Sequence, residues 1–473
     1  MKELDRLLDR IIQRVNINLR ELEVDVNPLV KTLIPPNQMT KFYAFYGITP
    51  HHPLHLQFRN SNLSGSYFLG KCSVTNSLLY KSDIRGDELK QKADVFKYQA
   101  YEIPVAEDEE IEIKDCFLIK TLVHNFSHDP ETLEKFFIED TISTHYANIH
   151  GSPANGCFLG PFSTVDLTTI RDCLVGTFSY IQAGEVSHLN IENGTVWVRV
   201  PDTFNFMYRF PLQRLSNYIY FTAGSSPQGV FIDFVEDRKE AFQRVFNVVN
   251  LEPSVSVPSS ASLDRFAVIK PKTHISENVL VSQRAYLQNA WLGKGANAQE
   301  QSYIINSRLE GNDITAHGAK IIEADLGKDV FVGFNCFLRG RPGSRLTIGK
   351  DSIIMPHTII DIRKALSVPA GHLVWGLIAD EKDLSSNSMS LKDFAKIDTR
   401  FSKGNMVFEG SGYEFVTAFK ERIHHILEAN GAFFNGHSNK GHAQQNQNIS
   451  FNTIQPYPEG EKEGLYPTII IRP

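Results

Sequence analysis

The chain has 473 residues, 42% of them hydrophobic, and 48 Lys and Arg against 54 Asp and Glu give a formal net charge of −6. That balance leaves no basic footprint for nucleic acid or for an anionic membrane surface. Five cysteines without CxxC spacing argue against a disulfide or zinc framework and make a reducing, cytoplasmic compartment the expectation.

The opening MKELDRLLDRIIQRVNINLRELE places Leu4, Leu8, Ile11 and Val15 at helical steps. It predicts an amphipathic helix within an N-terminal helical segment, residues 1–60, and not a signal peptide; no apolar run reaches transmembrane length. Residues 61–200 are expected to hold irregular β coils, with Leu63, Leu69 and Thr75 in a six-residue phase. Residues 87–148 are expected to interrupt them as an α/β insertion with a short helix opened by Asp129-Pro130. His124, His128, His145 and His150 cluster in this stretch, but their spacings match no helical ligand pair. Over 159–186, LGPFSTVDL and VGTFSYIQA align at an offset of 16. Residues 201–262 read as an aromatic-rich insertion and linker, with a helix near Asp237–Val248 and then SVSVPSS.

Residues 263–379 carry the strongest pattern. Leu292-Gly293, Leu309-Glu310 and Leu326-Gly327 start 17 residues apart, and Ile348-Gly349 repeats the motif after a short insertion. Within each unit an aliphatic or small residue returns about every six positions, as in Ile275, Val281 and Leu287. Small residues such as Val279, Ala285, Ala296, Ser302 and Ala319 hold the fifth position. Three hexads close one turn of a solenoid whose coils stack at about 4.8 Å. A helix or a meander would need other periods. Residues 380–473 are expected to form a C-terminal helix and tail, with Phe415, Phe419, Ile423 and Ile426 on one face and a strand at LYPTIIIRP.

These hexads resemble the left-handed parallel β-helices of the hexapeptide-repeat transferase superfamily, and VPAGHLVWGLIA at 368–379 is similar to the end of the coil region in its sugar acyltransferases. The fold class expected is therefore mainly β: a parallel β-helix with α/β insertions and a helix at each end. The resemblance implies a homotrimer, a coenzyme A thioester as co-substrate with no bound cofactor, a sugar or nucleotide-sugar as the small-molecule partner, and a histidine base.

AQEQSYIINS and ITAHGAKIIEADLGKDVFVGFN further resemble the central coils of gamma-class carbonic anhydrases, whose zinc is held by three histidines. On that pattern His317 falls on one ligand position, while Ile305 and Ile322 fall on the other two, and isoleucine has no donor atom. No metal is expected at those positions. Gln299 keeps the pattern's Gln and Glu300 replaces its acidic neighbour. Hexad counting stacks Glu300 against His317 in adjacent coils, a pair suited to general-base work or to plain ladder stabilisation. Arg339, Arg341 and Arg345, on the loop RGRPGSR, are the candidate contacts for donor phosphates, with a solvated loop as the alternative. The competing functional class is a non-catalytic trimeric scaffold or ligand-binding protein.

Overall fold

The computed structural model describes residues 2–40, 43–48, 55–98, 101–126, 136–247, 254–445, 450–454 and 465–471. They divide into two compact units, one of residues 1–195, 212–230 and 448–473, the other of residues 196–211 and 231–447.

The first unit is a parallel β-helix with three ladders. Its inner columns are Phe68, Ile84, Val123, Ile149, Val165 and Ile181 on one face, Val74, Ile113, Ile138, Ala154, Ile170 and Val186 on the second, and Leu79, Leu118, Ser143, Leu159, Val175 and Ile191 on the third. All are buried. The expected phase through Leu69 and Thr75 is one residue late. Leu69 stands in a column between Gly47 and Arg85, and Thr75 in one that continues into Lys114, Glu139, Asn155 and Arg171. Such columns must face outward, so Phe68 and Val74 take the inner places.

Three expected boundaries also change. Strands Ala44–Ile48 and Leu56–Ser61 already join the ladders, so the solenoid starts inside the segment expected to be helical. Residues 87–148 are not one α/β insertion. Ile111–Lys114, Phe117–Ile119, Leu122–Phe126 and Phe136–Glu139 complete coils, and a two-stranded hairpin of Val95–Tyr98 and Tyr101–Pro104 is thrown out ahead of them, after the strand Asp83–Glu88. Loops of unequal length hide the period there; the helix expected at Asp129-Pro130 lies outside the described residues. At the C-terminus, Ser450–Ile454 and Tyr466–Ile471 return antiparallel onto Ala44–Ile48 and Leu56–Ser61, covering strand edges that would otherwise be open.

The helix Lys2–Asn18 buries Leu4, Leu7, Leu8, Ile11, Ile12 and Val15 against Leu78, Tyr80, Phe117, Ile119 and Ile142. Arg10 and Arg14 pin it to Asp115 at 2.9 Å and Asp140 at 2.8 Å. Each of the buried leucine, isoleucine and valine side chains of the helix is worth about 1.5–3 kcal/mol when fully buried. Helix propensity alone does not hold a 17-residue helix in place.

In the second unit the hexads fall where the period places them. Val281, Ala298, Thr315, Val332 and Ile354 form one column, Leu287, Ile304, Ile321, Leu338 and Ile360 the second, and Ile275, Leu292, Leu309, Leu326 and Ile348 the third. The fifth-position residues Val279, Ala285, Ala296, Ser302, Asp313 and Ala319 are fully buried. At Gly293 a Cβ would stand 2.0 Å from the Glu310 carbonyl oxygen of the next coil, so only glycine lets the turns approach.

The helix Gly412–Ala429 starts at Ser411, whose side chain accepts from the Glu414 amide. Phe415 packs on Phe206, Phe394 and Phe408. Its buried face is Phe415, Val416, Phe419 and Leu427; Ile423 and Ile426 are only half-buried. The aromatic-rich stretch contributes the strand Phe204–Arg209, paired antiparallel with Met406–Gly410, and the helix Lys239–Asn247. Phe234 rests on Tyr303 and Phe337. Among the described residues no helix is long and apolar enough to cross a membrane.

Candidate active site

In the second unit Ala298 and Thr315 are ladder partners, and two residues further each strand turns a corner at Glu300 and His317. The corners are fixed by the stack: the Gly318 amide donates to the Glu300 carbonyl at 2.9 Å and the Asn335 amide to the His317 carbonyl at 3.0 Å. The side chains meet as hexad counting predicts, with His317 Nδ1 2.8 Å from Glu300 Oε2 and the two side chains 3% and 5% exposed. Phe334, one coil on, lies with its ring 5.1 Å from the imidazole. A carboxylate this close to Nδ1 favours a proton on that nitrogen, which leaves the lone pair on Nε2. That arrangement can accept a proton from a hydroxyl or an amine.

Gln299 sits beside this pair in sequence, half-buried, its backbone N–H donating to the Thr315 carbonyl at 3.0 Å. Lys320, three positions after His317 and 3% exposed, was not singled out by sequence. Its Nζ donates to the Gly318 carbonyl at 2.5 Å and lies 5.7 Å from the Tyr303 ring. Burial pulls its ammonium down to about 7 from the ordinary 10.5.

Ile305 and Ile322 are ladder partners one coil apart, so the metal pattern laid on these coils meets two hydrocarbon side chains. A lone histidine is nevertheless an incomplete reading of this chain. In the first unit His124 and His150 are direct ladder partners, with ring centroids 5.3 Å apart. They are 26 residues apart in sequence because residues 127–135 intervene, and a search at helical spacing passes over them. His128 lies outside the described residues.

The arginine loop is held by carboxylates. Arg339 Nε and Arg341 Nη2 reach Asp361 at 2.9 and 2.7 Å, and Arg345 takes Asp325 at 2.7 Å and Glu323 at 3.0 Å. Two of these guanidinium groups hold Asp361 below the usual carboxylate range against the opposing effect of burial, the largest single influence on it. A surface cavity in the same unit, about 570 Å³, is lined by Lys270, Pro271, Lys272, Tyr286, Gln288 and Asn289; none of these was a sequence candidate.

Residues 101–223 match the family model described as a hexapeptide repeat including a loop. These are the coils whose period the inserted chain obscures. No curated protein matches the chain. Among solved structures it is similar to a provisionally assigned acetyltransferase from Desulfovibrio desulfuricans G20, with 52% identity over 100% of this chain and 99% of that one and a TM-score of 0.93. A likeness of that extent makes the two chains homologues, and with the repeat on the page the protein belongs to the hexapeptide-repeat β-helix family of this bacterial relative.

Proposed function

We propose that the protein transfers an acyl group from a coenzyme A thioester to a hydroxyl or amine of a sugar or nucleotide-sugar. The observation that carries this reading is the buried Glu300–His317 pair at 2.8 Å in a chain homologous over its whole length to a protein assigned as an acetyltransferase. His317 Nε2 takes the proton of the acceptor group as its oxygen or nitrogen attacks the thioester carbonyl carbon. The C–S bond then breaks, and the imidazolium returns the proton to the coenzyme A sulfur. Glu300 is the positioning residue that stabilises the charged ring. Gln299 and the arginine loop are the candidate donor contacts, which requires phosphates to compete with Asp361, Asp325 and Glu323 for guanidinium groups already engaged. A homotrimer acting in the cytoplasm, with no bound cofactor, completes the reading.

A second reading, a non-catalytic scaffold or ligand-binding β-helix, is favoured by the burial of both side chains. The two separate in a thermal-shift titration. Acetyl-coenzyme A raises the melting temperature of the acyltransferase and leaves a scaffold unmoved.

A further inference from the structure

The first unit carries an outward column in which Arg85, His124, His150 and Asp166 are successive ladder partners. Its two imidazoles are 6% and 8% exposed, and Asp166 is fully buried. Strand stacking alone would bring two such rings within contact distance. It also sets Asp166 beside His150, whereas Glu88 reaches His124 from outside this column. His150 Nδ1 lies 2.7 Å from Asp166 Oδ1, and Asp166 is itself held by the Tyr180 hydroxyl. Glu88 Oε1 stands 3.5 Å from His124 Nε2. A ring nitrogen of His124 and one of His150 lie within 4.8 Å of each other.

Metal-binding histidines characteristically give their second ring nitrogen to a carboxylate, which fixes the tautomer and raises the basicity of the ligating nitrogen. Asp166 does this for His150 and turns Nε2 outward as a lone-pair donor. Two imidazoles on one tetrahedral ion, each bonded at about 2.0–2.1 Å, have their nitrogens about 3.3 Å apart, which small side-chain rotations reach from the observed spacing. Arg85, beyond His124, opposes the cation directly but suits an oxyanion in one of its open positions.

We propose that His124 and His150 bind a divalent transition-metal ion of the zinc class, with Asp166 as a positioning residue and with water or a small oxyanion in the remaining coordination positions. The proposal assigns the metal to none of the residues given a role in acyl transfer. The experiment uses the purified full chain, stripped with chelator and re-equilibrated with zinc, its metal content read by mass spectrometry. Cobalt(II) substitution supplies an absorption spectrum that reports nitrogen ligation. Wild-type protein takes up zinc stoichiometrically and gains melting temperature with it. His124→Ala and His150→Ala lose both effects, and Asp166→Asn weakens affinity about 10–100-fold. Where an alanine variant fails to fold, His124→Gln and His150→Gln preserve bulk and replace it. Failure of the stripped wild type to take up zinc or cobalt at micromolar free metal overturns the proposal, as does undiminished uptake by folded variants.

Discussion

Lys320→Met should stabilise the protein at neutral pH, and the gain should vanish in alkali. The ammonium is buried at the start of the strand Lys320–Ile322, pulled down to about 7 from 10.5. At about 1.4 kcal/mol per pH unit, that gap is worth about 5 kcal/mol. The lost bond to the Gly318 carbonyl returns about 1–2 kcal/mol, so the net expected gain at pH 7 is about 3 kcal/mol. Methionine is unbranched and close to the lysine stem in shape. The sign follows from the folded value lying below the unfolded one. The cost of carrying the lysine is full below pH 7, where it must be charged in both states, and fades as pH rises toward 10.5, where it is neutral in both. Urea unfolding of wild type and variant at about pH 7 and about pH 9.5 reads the difference directly. A variant that is less stable than wild type, by the same amount at both pH values, would refute the reasoning and mean that Lys320 is worth its hydrogen bond and nothing more.

Gly293→Ala should cost about 1–3 kcal/mol or more, because its Cβ would stand 2.0 Å from the Glu310 carbonyl oxygen; denaturant midpoints measure this, and Gly343→Ala, at positive φ with nothing within 4 Å, should cost only about 1 kcal/mol of backbone strain. All five cysteines are free and buried, and burial pushes the thiol of Cys336 up to about 12. A thiol reagent should therefore label none of them in native protein and all five after unfolding. Arg14→Ala should loosen the N-terminal helix by leaving the carboxylate of Asp140, 8% exposed, without its partner at 2.8 Å. Hydrogen exchange in residues 2–18 should rise, with exchange in the second unit unchanged.

The second unit was legible because its coils are nearly uniform. Leu292, Leu309 and Leu326 recur at 17 residues, and one hexad count also placed Glu300 against His317. The first unit obeys the same physics with the ruler broken. Its inner column runs Ile84, Val123, Ile149, Val165, with steps set by whatever chain is thrown out between coils. Leu69 and Thr75 were assigned inward because one strand gives two alternating sets, and only neighbouring coils, with Arg85 and Lys114 in the same columns, tell them apart. The His124–His150 pairing was hidden by the same irregular steps. Lys320 gave no sequence signal, since a lysine in a β-helix is ordinarily exposed, as Lys294, Lys328 and Lys350 are.

The most direct test of the acyl-transfer reading is thiol release from acetyl-coenzyme A in the presence of sugar and nucleotide-sugar acceptors, for wild type, Glu300→Gln and His317→Ala at equal melting temperature. A general base contributes about 10²–10⁴-fold. His317→Ala should lose turnover by that factor with little change in KM, and Glu300→Gln should lose less while shifting the pH profile. Wild-type protein that neither binds nor consumes the thioester, or a His317→Ala variant as active as wild type, would contradict it.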